Sequence, residues 1–226
     1  VGMSRRGRFP SLRETYSEAL NRFIPNPDLH PEHLLAFEAG VTSRVGEGEI
    51  QLVGFHHKLS DAIRRITFPD RKRMRVNSDE LRSTGVELLF SQSFGRVNLS
   101  ADLTLQKVEL VDQETSRSTE PENMPEQTGR IRLSLPLVAG VALSGEAEYT
   151  GSQYAQHPDT GADVELDGGV WWNGGVSRVW NLTSSSGWAQ RVETGIQVDN
   201  LTDTLIYDQY GLPRAGRVFR FQIRVF

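Results

Sequence analysis

From Val97 to Gln106 the chain reads Val-Asn-Leu-Ser-Ala-Asp-Leu-Thr-Leu-Gln, apolar at every odd position and polar at every even one. Successive side chains of a β-strand point to opposite faces, so this period builds a strand with one greasy and one wet side. A soluble sandwich would bury the odd face in its core, whereas a membrane barrel would turn it to lipid and line the lumen with the even face. The period alone leaves both open. It recurs at Ile131 to Leu137, Val141 to Tyr149, Val170 to Trp180, Trp188 to Val198 and Gly216 to Phe226.

The pattern predicts strands at 33–44, 48–60, 77–91, 95–110, 128–138, 141–153, 165–180, 187–201 and 216–226, with a tenth if Val1 to Arg8 ends another. Short connections (45–47, 92–94, 139–140 and 181–186) alternate with long polar ones (61–76, 111–127, 154–164 and 202–215). Strands of about a dozen residues exceed the usual five or six of globular sheets. Short turns at one rim and long loops at the other are the pattern of outer-membrane barrels.

Pairing the segments tests this. A turn at 139–140 opposes Leu137 to Val141 and Leu135 to Leu143, with Arg132, Ser134, Glu146 and Glu148 on the reverse face. A turn at 181–187 opposes Trp180 to Trp188, Val176 to Val192, Trp172 to Ile196 and Val170 to Val198. Its other face pairs Ser177 with Arg191, Gly175 with Glu193 and Trp171 with Gln197. Near Gly95, Phe90 opposes Val97 and Leu88 opposes Leu99. Trp180 and Trp188 then flank a short turn, as an interfacial aromatic girdle would, with Arg178 placed to snorkel.

With 226 residues, 37% hydrophobic and 24% charged, the chain can build one sizeable domain. A net charge of -4 supplies no basic field, so no nucleic acid is expected as partner. No run of eighteen apolar residues marks a membrane helix, but alternating strands cross a bilayer with low mean hydropathy, here -0.42. The absence of cysteine excludes disulfides, thiolate metal sites and cysteine nucleophiles. No signal peptide begins at Val1, so an exported protein is expected to be a processed or truncated product.

Several short motifs resemble those of TonB-dependent outer-membrane receptors. Gly7-Arg8-Phe9-Pro10-Ser11-Leu12-Arg13-Glu14, then Asn26-Pro27-Asp28-Leu29-His30-Pro31-Glu32, is similar to the family's paired F-x-x-P-S-L-x-E and N-P-x-L-x-P-E signatures. Asn123-Met124-Pro125 resembles its N-x-P element and Gly85-Val86-Glu87 its G-x-E strand. Asn200-Leu201-Thr202-Asp203 with Tyr210 resembles N-L-F-D followed by Tyr, and Gly211 to Arg217, containing Gly216, resembles the lead into the final strand. The physical sense of the motifs is structural. Pro27 and Pro31 fix φ, and Asn200 and Asp203 can bond their own backbone where a strand breaks into a loop.

The resemblance implies an all-β, antiparallel up-and-down transmembrane β-barrel, with residues 1–226 as the C-terminal part, about 9–10 strands of a larger barrel of about 22. The plug domain and energy-coupling segment are expected outside this chain. It further implies a monomer in the bacterial outer membrane, contacting lipid, the plug and, through the missing N-terminal part, the TonB-ExbB-ExbD complex. Its work would be uptake of a scarce small ligand such as a ferric siderophore, cobalamin or a glycan. Alternation places Glu146, Glu148, Arg191 and Glu193 toward the lumen. Phe226 falls out of phase with Phe219, Phe221, Ile223 and Val225, a departure from the usual barrel-assembly signal.

No enzyme is expected, with no catalytic, cofactor or metal residues, because neither a nucleophile elbow nor a glycine-rich phosphate loop occurs. His56 and His57 are adjacent and point to opposite faces of a strand. His30 and His33 read as solvated loop residues. The basic run Arg64-Arg65, Arg71-Lys72-Arg73 and Arg75 reads as a solvated loop with some attraction for anions. Two rival readings are a complete small outer-membrane barrel (adhesin or hydrolase) and a soluble carbohydrate-binding β-sandwich.

Overall fold

The computed structural model describes residues 1–112, 117–182 and 191–226. Among the described residues ten strands form the main path of the sheet: β1 (Gly2–Arg8), β2 (Glu32–Val45), β3 (Gly48–Thr67), β4 (Arg73–Phe94), β5 (Val97–Asp112), β6 (Gln127–Pro136), β7 (Val141–Thr150), β8 (Gly169–Asn181), β9 (Arg191–Asp199) and β10 (Val218–Val225), with the two-residue strands Phe23–Ile24 and Ser118–Thr119 paired off it to β4 and β5. The ten are hydrogen-bonded in chain order, each beside its sequence neighbour, the all-β up-and-down arrangement that the alternation predicts. Among the described residues the helical elements are α1 (Leu12–Tyr16) and a 3-10 turn at Ala19–Asn21, both in the long β1–β2 connection.

The strands run through two compact units, residues 1–40, 53–86 and 106–121 in the first and residues 41–52, 87–105 and 122–226 in the second. Each unit has a small apolar core under its long loops. In the first, Leu29, Ala36 and Val108 are buried; in the second, Ala155, Leu166 and Ile206.

The β6–β7 hairpin has the predicted register, with Leu135 opposite Leu143, Arg132 opposite Glu146 and Arg130 opposite Glu148. Its turn closes where Ala139 and Gly140 both take positive φ (56° and 73°) and Val141 N–H donates to Val138 at 3.3 Å. Two successive left-handed residues give a turn whose twist matches the hairpin. A Cβ on Gly140 would stand 2.6 Å from the Val179 carbonyl, so the turn also needs glycine for space.

The β8–β9 register differs from the expected one. Val176 stands opposite Ile196, Gly174 opposite Val198 and Trp180 opposite Val192, while Arg191 and Glu193 face Asn181 and Val179 rather than Ser177 and Gly175. Gln197 faces Gly175 instead of Trp171. The partner sum moves from 368 to 372, an even slip, so every side chain keeps its predicted face. The expected Trp180–Trp188 pair and most of the 181–186 turn lie outside the described residues.

Three boundaries also shift. The connection expected at 61–76 shrinks to 68–72, because β3 and β4 run on past the alternating stretch with polar residues on both faces, which hydrophobic period does not register. The turn expected at 92–94 sits at Gly95-Arg96, with Gly95 at φ 61°. Residues 163–166 belong to a separate hairpin with Gln153–Gln156 rather than to the 165–180 strand.

Candidate functional site

In the second unit the two faces of the sheet differ sharply. One carries Leu103, Leu105, Ile131, Leu133, Leu143, Tyr149, Trp172, Val176, Trp180, Ile196, Phe219, Phe221, Ile223 and Val225, all exposed, with Trp172 at 48% and Phe219 at 72%. Register pairs align them: Val192 opposes Val225, Thr194 Ile223, Ile196 Phe221 and Val198 Phe219. So large a continuous apolar surface marks a site of contact with an apolar medium or partner. Tyr149 is level with Val170, and Trp180 lies ten residues further along β8. At about 3.3 Å per residue and a tilt of about 40°, that interval covers about 25 Å of depth, the height of a barrel's apolar band. Arg178 stacks 3.8 Å over the Trp180 ring, whose indole N–H donates to Thr194 at 3.0 Å, so the polar edges of this belt are satisfied.

The opposite face is a ladder of charge. Arg132 lies 3.9 Å from Asp102 and bonds Glu146 at 2.8 Å. Arg130 stands 3.8 Å from Glu146 and 3.1 Å from Glu148. Glu148 also takes Arg214 at 2.8 Å, which binds Asp208 at 2.6 Å and lies 5.4 Å over the Trp171 ring. Asn173 donates to Glu146 at 2.9 Å. Strand period explains the array, since alternate residues of β5, β6 and β7 put opposite charges side by side across the ladder. Toward the tight turns the same face opens as a cleft of about 520 Å³ whose lining includes Ser93, Asn98, Ser100, Ser134 and Ser144 together with the charged Glu47, Arg132 and Glu146.

Arg214 belongs to the 200–217 connection, which is built on one amide. The Asn200 side chain, 0% exposed, donates to the carbonyls of Thr204 (3.0 Å) and Ala215 (3.4 Å) and accepts from Thr204 N–H at 2.8 Å. Its backbone N–H donates to Asn173 at 3.0 Å, so the loop is tied to β8. Asp203 accepts from Arg217 N–H at 2.8 Å; a Cβ on Gly216 would stand 2.9 Å from the same carboxylate. Burial works against the charge of Arg214, yet its bonds to Asp208 and Glu148 carry its pKa above the ordinary value. Gln153 donates to the carbonyls of Tyr207 (2.8 Å) and Asp208 (3.3 Å), and His157 lies 5.0 Å from the Tyr210 ring.

In the first unit the 9–31 connection is held differently. Ser11 and Glu14 form a capping box on α1, Ser11 N–H donating to Glu14 at 2.8 Å and Glu14 N–H to Ser11 at 3.3 Å. Arg8 bridges Glu14, at 3.0 Å, and Glu32. The Ser11 backbone bond and the Arg8 guanidinium hold the Glu14 carboxyl down to about 2. Asn26 donates to the Arg75 carbonyl at 2.9 Å, and Asn77 exchanges bonds with His30, 2.8 Å and 3.0 Å, locking the loop to β4.

A family model described as TonB dependent receptor-like, beta-barrel matches residues 1–201. The chain belongs to the TonB-dependent receptors. Solved barrels of similar fold include the FrpB iron transporter of Neisseria meningitidis (F3-3 variant), 16% identical with a TM-score of 0.68 over 89% of this chain and 31% of that one. The ferric-catecholate import receptor Fiu of E. coli K12 is 16% identical with a TM-score of 0.69, over 98% and 32%. BauA, the ferric preacinetobactin receptor of Acinetobacter baumannii, is 18% identical with a TM-score of 0.68, over 93% and 31%. This TonB-dependent receptor chain therefore spans about a third of the structures it resembles. No curated protein sequence matches it.

The motif residues of the receptor chain fall into separate groups. Pro10, Ser11, Leu12, Glu14, Asn26, Pro27, Leu29, Pro31 and Glu32 share the 9–32 segment, where Arg8 draws its two halves together. Gly85 and Glu87 lie within β4, away from any loop. Asn200, Leu201, Asp203, Tyr210, Gly216 and Arg217 share the 200–217 loop. Glu146 and Glu148 stand two residues apart in the charge ladder, but Arg191 and Glu193 do not join them. Arg191 lies 4.5 Å over the Phe226 ring, and Glu193 is 3.9 Å from Arg224. Sequence reasoning missed Arg130, Asp208 and Arg214 as ladder members, and of these only Arg130 carried a signal, as a polar position of an alternating strand.

Proposed function

We propose that this chain is part of the barrel wall of an outer-membrane uptake receptor, its exposed apolar face toward lipid and its charge ladder toward the lumen. The observation that carries this is the contrast between the two faces within one antiparallel sheet of the TonB-dependent receptor family. Burying a face of large apolar side chains in hydrocarbon gains about 25 cal/mol per Å², while the ion pairs stay in a wet interior. Glu146, Glu148, Arg191 and Glu193 then face the plug or the ligand. The long connections 9–31, 151–168 and 200–217, and the short 68–72 turn that alternates with them, stand outside the cell and meet the ligand, and the turns at 46–47, 95–96 and 137–140 face the periplasm. The work is import of a scarce ligand, a ferric siderophore, cobalamin or a glycan, and the similarity to iron and ferric-siderophore transporters favours the first. The full receptor acts as a monomer that carries a plug and takes energy from the TonB-ExbB-ExbD complex; the chain performs no catalysis.

Two measurements test the reading. Single cysteines at Ile196 and Glu146 in the full receptor should label oppositely, Ile196→Cys with a lipid-soluble maleimide and Glu146→Cys with a charged one. Cells carrying the receptor should take up a labelled ferric siderophore only when TonB is present. Equal labelling at both positions, or uptake indifferent to TonB for every ligand tried, would sink it.

A further inference from the structure

In the first unit β4 runs well past the apolar part of its face. Val86 is its last exposed large apolar residue toward the 68–72 turn, and Arg73 lies thirteen residues beyond. At about 3.3 Å per residue and a tilt of about 40°, that interval lifts the turn about 30 Å above Val86, several times the depth of a headgroup layer of about 5–8 Å. The upper stretch carries Arg64, Arg65, Arg71, Lys72, Arg73 and Arg75 against two carboxylates, Asp61 and Asp70, in a chain whose net charge is -4.

The main chain holds these cations in place. Phe68 N–H donates to the Lys72 carbonyl at 2.8 Å and Arg71 N–H to the Phe68 carbonyl at 2.9 Å, with Arg71 at φ 65°. Asp70 accepts from Lys72 N–H at 3.1 Å and lies 3.7 Å from its ammonium, so this carboxylate belongs to the turn. Phe23–Ile24 lie parallel to Arg73–Met74, and Arg73 N–H donates to the Arg22 carbonyl at 2.9 Å, which brings Arg22 alongside. Asn26 holds the Arg75 carbonyl at 2.9 Å, and Asn77 holds that of Asp61 at 2.7 Å. These bonds use the backbone of the arginines, so their guanidinium groups take no part in them. Among the described residues Arg22, Arg65, Arg71, Arg73 and Arg75 have no carboxylate partner, and all but Arg75 are exposed. In the adjoining 9–31 loop the exposed Glu18 and Asp28 are matched by the exposed Arg13 and Arg22.

We infer that this hairpin is the capture site for a ferric chelate of net negative charge, one whose iron is held by catecholate or carboxylate oxygens. The inference rests on the uptake reading above and narrows it, setting apart uncharged ligands such as cobalamin, neutral glycans and ferric hydroxamates. Cations gathered without partners raise the local concentration of an anion and speed its arrival, an effect carried by the association rate. Guanidinium N–H groups then donate to the outward oxygens of the chelate in charge-assisted bonds. A lipid phosphate would need its cations at the edge of the apolar face, about 30 Å lower.

The test uses the full receptor in a neutral detergent and stopped-flow association with three probes. Two are anionic, a ferric tris-catecholate and a ferric citrate chelate, and one is neutral, a ferric tris-hydroxamate. Arg65→Gln, Arg71→Gln and Arg73→Gln combined leave the backbone bonds of the hairpin in place, so the barrel should keep its heat-resistant mobility in gels. The association rate of the anionic probe that binds should fall about tenfold with its dissociation rate little changed, and Arg65→Lys, Arg71→Lys and Arg73→Lys combined should keep the wild-type rate. In wild type that rate should also fall steeply as salt shortens the screening length from about 30 Å at 0.01 M to about 8 Å at 0.15 M, a measurement that stands even where the variant fails to fold. Equal rates in wild type and the glutamine variant, association indifferent to salt, preference for the neutral probe, or binding of no anionic probe would each overturn the inference. Uptake indifferent to TonB for every ligand would instead overturn the reading on which the inference rests.

Discussion

Two long loops of this receptor chain are held by opposite means. The 200–217 loop is organised around a neutral amide with no exposed surface, Asn200, and is tied to the wall by Arg214, whose side chain is 25% exposed. The 9–31 loop is organised around carboxylates, Glu14 and Glu32, that share Arg8, a residue with 50% of its side chain exposed. A buried amide loses its full set of bonds when truncated, whereas a solvated ion pair is replaced by water at small cost. The first loop should thus behave as a fixed part of the wall and the second as a conditional one.

Substitution of Asn200 gives the largest expected effect. Asn200→Ala leaves the N–H and C=O of Thr204 without their side-chain partner and should cost about 3 kcal/mol, read as faster hydrogen exchange across 200–217 in the full receptor. A cost below about 1 kcal/mol would end the contrast between the loops. Arg214→Met comes next. It frees the Tyr207–Pro213 hairpin from β7 but leaves Glu148 its bond to Arg130, so a loss of about 1–2 kcal/mol should be confined to 207–213, with 200–204 still protected. Asn26→Ala, which removes the bond to the Arg75 carbonyl and the one accepted from Asp28 N–H, should cost about 1 kcal/mol and loosen only the 9–31 loop.

The smallest effect is one of pH. The folded Glu14 carboxyl is held down to about 2, below its unfolded value near 4.5, so its contribution is complete above that value and is lost as pH falls toward 2. Exchange at 9–31 should accelerate through that window, and Arg8→Gln should move the onset upward. The Asn200 amide does not titrate, so protection at 200–206 should outlast that at 9–31. Simultaneous opening of both loops would show that they are held alike.

Much of the sheet was legible because apolar and polar residues alternate over many strands. In β6 and β7, Leu135 with Leu143 and Arg132 with Glu146 follow from period and turn alone. Period fails where neither face is apolar. The far ends of β3 and β4 read as a loop because Arg64, Arg65, Arg73 and Arg75 carry no hydrophobic contrast, although the backbone there is paired. The helix Leu12–Tyr16 was missed for a related reason, since one turn and a half offers too few residues to show a 3.6 period, even with its Ser11 and Glu14 capping box in plain view. The site was less legible. Arg214 reaches Glu148 across 66 positions of sequence, and nothing local to either announces the other.

The even slip between β8 and β9 has a consequence for how such receptors can diversify. Because parity alone decides which side of the wall a residue occupies, a coding change that adds or removes two residues at a tight turn preserves inside and outside for the whole strand. A change of one residue exchanges them. At the long-loop rim no such restriction applies, since a loop can absorb any number before the next strand begins. Mutation is therefore free to reshape the long connections, while the tight turns accept length changes most readily in pairs.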